Sequence, residues 1–271
     1  MSIIYTNEKN ANFLCKINKN SFLLCQEKKL VILCSFQKGI GSRIEEILDG
    51  YYKNGIVIDE TLIIATSNSV ISGGKDIIIF YNTKNKKIKE IEGYSFILSH
   101  TCLYLMEINN NQVLLCACKK YKNTQKNGIL LINNLKSIKF NNFEDKINIK
   151  FYDTNNFEVH CFCQISTLNN LNNKRIINNS NFLIKSNYFF VGGFDTDKGK
   201  GCLKLYKFDD EKFEIKEIVN NVKIKDFEGF NGTIKNIIQL SKNGKILITC
   251  WDGNNYLFTN PHLNEHLFEI I

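Results

Sequence analysis

Proline is all but missing from this sequence: one stands among 271 residues, beside two methionines and one tryptophan. With no Pro/Gly-rich linker and no shift in composition to divide the chain, residues 1–271 are expected to form a single domain. Arginine is nearly as rare, at Arg43 and Arg175. Its planar guanidinium makes the bidentate contacts that read phosphates and bases, so its scarcity counts against specific nucleic-acid recognition. No apolar run approaches the roughly 18 residues that a membrane-spanning helix needs. The first ten residues, Met1 to Asn10, lack the apolar core of a secretory leader. Catalytic spellings are missing too. There is no Gly-Lys-Ser/Thr phosphate loop and no Gly-x-Ser-x-Gly nucleophile elbow, and His262-Leu-Asn-Glu-His266 lacks the zinc-protease order. The chain reads as non-enzymatic, with no catalytic residue, cofactor or metal assigned.

What is present is an ordinary globular composition, 44% hydrophobic and 23% charged. The net charge of +8 comes from lysine. Asparagine far outnumbers glutamine, a bias that AT-rich coding produces along with lysine, so the charge by itself does not point to a polyanionic partner. Ten cysteines are many. Cys15, Cys25, Cys34, Cys116, Cys118, Cys161, Cys163 and Cys250 stand inside apolar runs, where a free thiol packs as a small hydrophobe. That usage fits a compartment with reduced thiols, the cytoplasm or the nucleus.

The best-formed stretch is Gly232–Phe258. Three apolar runs, Ile234–Leu240, Lys245–Trp251 and Asn255–Phe258, are separated by Ser241-Lys-Asn-Gly244 and Asp252-Gly253-Asn254. Gly244 and Gly253 stand where hairpins require positive φ. Looser copies precede it. The first unit is Ser2–Tyr5, Phe13–Ile17, Phe22–Cys25 and Leu30–Cys34. The second is Ile44–Leu48 (whose spacing also fits a helical turn), Ile56–Ile58, Thr61–Thr66 and Ile77–Tyr81. The third takes Ile88–Ile91, Cys102–Ile108, Val113–Tyr121 and Gly128–Ile132. The fourth takes Ser137–Phe140, Val159–Ile165, Tyr188–Gly192 and Cys202–Tyr206, interrupted by Asn141–Phe157 and by an Asn-rich surface insertion over 166–187. Phe213–Val219 leads into the fifth unit, and His266–Ile271 follows it. The early units repeat at about the 40–50-residue period of propeller blades. Four-stranded sheets stacked radially bury faces that no single sheet can bury, so an all-β propeller of five to six four-stranded blades is expected.

Gly244-Lys-Ile-Leu-Ile-Thr-Cys-Trp-Asp-Gly253 followed by Asn254-Asn-Tyr-Leu-Phe258 resembles the last two strands of a WD-repeat blade. Gly73-Gly-Lys-Asp76 with Ile77–Tyr81, and Gly192-Gly-Phe-Asp195 with Leu203–Tyr206, are similar. The Trp-Asp pair of that family is replaced by Tyr81-Asn82, Ile132-Asn133, Tyr206-Lys207 and Phe258-Thr259, so its Asp–His–Ser/Thr–Trp network is not expected. The phosphoinositide-binding propellers carry Phe-Arg-Arg-Gly, which does not occur here. The resemblance implies a protein-interaction scaffold that binds other proteins through its loops or an open blade edge.

Particular residues carry that expectation. Lys84, Lys86 and Lys87 in the basic turn, and Asn172, Lys174 and Arg175 in the Asn-rich insertion, are the expected partner-binding residues. Two other readings stand beside it: an enzymatic or small-ligand propeller using its central channel, and an acidic-lipid or nucleic-acid binder working through lysine. Cys116-Ala-Cys118 and Cys161-Phe-Cys163 place thiols along strands rather than around a zinc knuckle, which favours packing. Asp195-Thr-Asp-Lys-Gly-Lys-Gly201 opens like a calcium loop but has Tyr206 where a bidentate carboxylate belongs, which favours a hairpin tip. His160, within a strand, is expected to be satisfied or half-buried. In the last unit Ile246, Ile248 and Cys250 should face one side and Leu247 and Thr249 the other, both largely buried between blades. The run Leu267–Ile270 is expected to close the ring against Ser2–Tyr5 or Phe13–Ile17.

Overall fold

The computed structural model describes residues 11–18, 21–26, 29–35, 42–49, 52–59, 62–67, 77–91, 103–106, 112–121, 124–133, 135, 148–168, 183–209, 211–220, 222, 228–240 and 245–258. Strands β1 (Ala11–Lys16), β2 (Ser21–Gln26), β3 (Lys29–Ser35) and β4 (Ser42–Asp49) pair in that order as a first sheet. The second holds β5 (Tyr52–Asp59), β6 (Leu62–Ser67), β7 (Ile77–Asn82) and β8 (Ile88–Ile91). The third holds β9 (Leu103–Met106), β10 (Gln112–Tyr121), β11 (Thr124–Asn133) and β12 (Asn148–Asn155). The fourth holds β13 (Phe157–Leu168), β14 (Leu183–Asp195), β15 (Lys200–Asp209) and β16 (Glu214–Val219). The fifth has β17 (Ile234–Gln239), β18 (Ile246–Cys250) and β19 (Asn255–Phe258). Every pairing is antiparallel and joins strands adjacent in sequence. The described residues contain no α-helix.

The sheets stack in series because each side of a strand carries its own apolar set. Ile63, Ala65, Ile79 and Tyr81 of the second sheet pack on Leu23 of the first. Their neighbours Ile64, Ile78 and Phe80 point the other way and pack on Val113, Leu130 and Ile132 of the third. Leu114, Ile129 and Leu131 then meet Phe162, Phe189, Val191 and Tyr206 of the fourth. Finally Cys161, Phe190, Leu203 and Leu205 meet Ile234, Ile237, Ile248 and Cys250 of the fifth. The first strand of each sheet also lies against the first strand of the next, β1 on β5, β5 on β9, β9 on β13 and β13 on β17. Polar ties add to the third interface, where Lys150 pairs with Glu214 at 2.9 Å and the Ile215 N–H donates to the Tyr152 hydroxyl at 3.3 Å.

Four of the described hairpins share one device. An Asp or Asn opens the turn, and its side-chain oxygen accepts from backbone N–H groups just ahead. Asn82 Oδ1 accepts from Lys84 and Asn85, and Asp209 Oδ1 from Glu211 and Lys212. Asp195 Oδ1 accepts from Asp197 and Lys198, and Asp252 Oδ1 from Asn254. Gly253 takes the expected positive φ of 85°.

Several expectations are corrected. The repeat frame is shifted by one strand: Ile44–Leu48 lies in β4 and ends the first sheet, β8 ends the second, and β16 ends the fourth. Ile44–Leu48 is extended, not a helical turn. The interruption at Asn141–Phe157 contains β12 and the start of β13. The insertion expected over 166–187 is narrower, since Ser166, Thr167 and Leu168 pair with Lys185, Ile184 and Leu183. Loop length does not mark the sheet boundaries. A tight connection joins β4 to β5 and another joins β12 to β13, yet both pass between sheets. The runs Ser2–Tyr5, Ser137–Phe140 and His266–Ile271, with the ring-closing pairing assigned to the last, lie outside the described residues.

Candidate protein-interaction surface

Among the described residues, the fifth sheet has one face packed on the fourth sheet and one face that carries exposed aliphatic side chains. Ile248 and Cys250 are buried against the fourth sheet, and Ile246, Tyr256 and Phe258 pack beside them. The residues between point away. Ile238, Leu247 and Leu257 are direct cross-strand partners in β17, β18 and β19. They therefore form one aliphatic row across the sheet. Ile238 is 48% exposed and Leu257 56% exposed, while Leu247 is half-buried. Leu240, 53% exposed, extends the row where its N–H donates to the Lys245 carbonyl at 2.8 Å. Leu247 and Thr249 were expected to be largely buried between blades. Both are only half-buried, because no apolar cluster among the described residues joins this face to another sheet.

The charged groups around the row are mostly basic. Lys235 and Lys245 are exposed. Asp252 stands at the far turn, where its Oδ2 accepts from the Asn254 amide at 2.8 Å. The single tryptophan, Trp251, closes β18 and is 52% exposed, with its ring edge-on to buried His160 at 5.3 Å. His160, expected to be satisfied or half-buried, is buried, and its Nε2 lies 4.0 Å from the Glu158 carboxylate. Burial holds the Glu158 carboxyl above its ordinary range.

Of the expected partner-binding residues, Lys84, Lys86 and Lys87 fall on the β7–β8 turn and are exposed. The turn is well defined: the Asn82 N–H donates to the Lys87 carbonyl, the Lys86 N–H donates to the Asn82 carbonyl, and Lys86 takes φ 58°. Asn172, Lys174 and Arg175 lie outside the described residues. The turn lysines and the aliphatic row belong to different sheets. The row was missed because Ile238, Leu247 and Leu257 spell the same alternation as any two-sided strand, and only their place in the last sheet exposes them.

Of the remaining candidates, the side chains of Cys116 and Cys118 and the whole of His262–His266 lie outside the described residues. Cys161 and Cys163 are core thiols between the fourth and fifth sheets. Asp195 receives Lys198 Nζ at 2.9 Å as well as the turn N–H groups, and Gly199 takes φ 61°, so Asp195–Gly201 is built as a hairpin tip. A half-buried ion pair tightens the fourth sheet. Lys204 Nζ donates to Glu217 at 3.1 Å, the Tyr206 hydroxyl donates to the same carboxylate at 2.8 Å, and the ammonium lies 4.6 Å from the Phe157 ring centre. Burial, reinforced by the Glu217 charge, raises the Tyr206 phenol well above its usual range.

No protein-family model matches the chain. No curated protein sequence matches it either. Among solved structures it is similar to PorZ of Porphyromonas gingivalis, described as an essential surface component of the type-IX secretion system. That superposition has a TM-score of 0.55 at 10% identity and covers 93% of this chain. The chain spans about a third of PorZ's length, 33%. Hsv2 of Kluyvelomyces marxianus superposes more loosely, with a TM-score of 0.37 at 10% identity over 94% of this chain and 73% of that one. The likeness to PorZ is one of fold, an all-β, propeller-like stack of small antiparallel sheets.

Proposed function

We propose that this chain is a non-enzymatic interaction platform of the propeller type, working by binding other proteins. The observation that carries the reading is the aliphatic row Ile238–Leu247–Leu257 with Leu240, left open on a sheet that is otherwise packed. Aliphatic side chains exposed side by side on a folded domain offer a contact surface for a partner. The ordered β7–β8 turn with Lys84, Lys86 and Lys87 offers a second, polar contact of the loop type. Blade count and ring closure are part of the proposal: five blades in an arc, with the last face available. The test is affinity purification of the full chain from its source cell after mild cross-linking. Stoichiometric protein partners are expected, and recovery of the chain alone at low and moderate salt would refute the reading.

A further inference from the structure

The open face of the fifth sheet has a chemistry that selects among occupants. Its centre is aliphatic, Ile238, Leu247 and Leu257 in register with Leu240 beside them. Its exposed charged neighbours on β17 and at the start of β18 are both lysines, Lys235 and Lys245. Among the described residues, the carboxylate at the end of β18, Asp252, is occupied by its own turn through Asn254. A second copy of the chain would bring the same lysines and a net charge of +8 to the contact, so self-pairing is opposed by like charge. Four aliphatic side chains also fall well short of the roughly 800 Å² per partner that a stable contact between folded domains buries.

We propose that this face binds a short acidic-apolar segment of a partner protein, with aliphatic anchors on the Ile238–Leu247–Leu257 row and carboxylates meeting Lys235 and Lys245. Three strands about 4.8 Å apart make the row about 10 Å across, a width that a few extended residues of a partner segment cover. Lysine supplies steering and register, while the aliphatic row supplies residence time. The inference rests on the platform reading and adds to it the place and the partner's chemistry.

The experiment titrates the full chain with a synthetic peptide of alternating Leu and Asp/Glu, following emission of Trp251 at the end of β18. Two control peptides replace Asp/Glu by Lys and Leu by Ser. Binding of the acidic-apolar peptide with a blue shift is expected. Leu257→Lys, at an exposed position, should raise Kd at least tenfold, with far-UV circular dichroism unchanged. The double variant Lys235→Glu/Lys245→Glu should weaken the acidic peptide tenfold and favour the Lys-bearing one. The proposal is overturned if no peptide binds, if acidic and Lys-bearing peptides bind wild-type chain equally, or if Leu257→Lys leaves Kd unchanged. Self-association in sedimentation that Leu257→Lys abolishes would overturn it in favour of a second copy. Peptide binding that requires removal of residues 259–271 would overturn it in favour of the chain's own terminal segment. If cellular partners captured by wild-type chain are retained by Leu257→Lys, the platform stands and this face is the wrong part of it.

Discussion

Gly192→Ala tests the packing of the fifth sheet on the fourth. Gly192 lies in β14 opposite Cys161 and Leu203, in the layer that receives Ile234 and Ile237. A Cβ added there would stand 2.6 Å from Ile234 Cγ2, 2.8 Å from Cys161 Sγ and 2.9 Å from Ile237 Cδ1. The Cδ1 methyl can swing aside by changing χ2. The Ile234 Cγ2 methyl is fixed to a β-branched Cβ and has no such freedom. Ordinary contact therefore requires the fifth sheet to retreat by the better part of an ångström, loosening its layer with the fourth. Overpacking of this kind costs about 1–3 kcal/mol. For a chain of this size that corresponds to a fall in Tm of about 2–4 °C per kcal/mol. The assay is urea unfolding followed by Trp251 emission, which reports the fifth sheet, and by circular dichroism, which reports all the sheets. In the variant the tryptophan transition should move to lower urea further than the circular dichroism transition. A Gly192→Ala protein as stable as wild type, with coincident transitions, would refute the packing of these two sheets.

Glu217→Ala should cost about 2 kcal/mol, less than the roughly 3–5 kcal/mol of a fully buried broken pair because the Glu217 side chain is 35% exposed, whereas Lys204→Met should cost less by removing the buried charge itself; chemical denaturation of both variants checks the order. Acid should weaken the fold with a definite sign. The hydrogen bond from Lys126 holds Asp153 below its ordinary 3.8, and the one from Lys198 does the same for Asp195. Because folding depresses these values, their contribution is complete above about pH 4 and disappears as pH falls through the folded values. Lys126→Met should flatten the fall in urea midpoint between neutral and acid pH, and an unchanged slope would contradict it. Burial pushes the Cys202 and Cys250 thiols up to about 11, so at pH 8 both should resist alkylation until urea unfolds the chain; mass spectrometry of labelled peptides reads this, and rapid native labelling would count against it.

Local chemistry was legible in the sequence wherever it did not depend on what lay across the sheet. Alternating apolar runs located most strands to within a few residues, since side chains at period two face opposite layers whichever sheet they join. Gly253 and the hairpin tip at Asp195–Gly201 were readable because turn geometry is settled by the few residues in the turn. The strand Asn148–Asn155 was missed because its Lys, Asp and Asn residues dilute the apolar alternation on an outermost strand. Membership of a sheet was not legible either. β4 and β5, like β12 and β13, are joined as closely as hairpin strands, and only packing sends each pair into separate sheets. Exposure was decided last. Leu247 and Ile248 are adjacent aliphatic residues on one strand, yet the fourth sheet buries Ile248 while Leu247 faces outward. The sequence determined that both would carry apolar surface. Which of them would stay exposed depended on which face the fourth sheet covers, because burial belongs to a pair of layers and not to a residue.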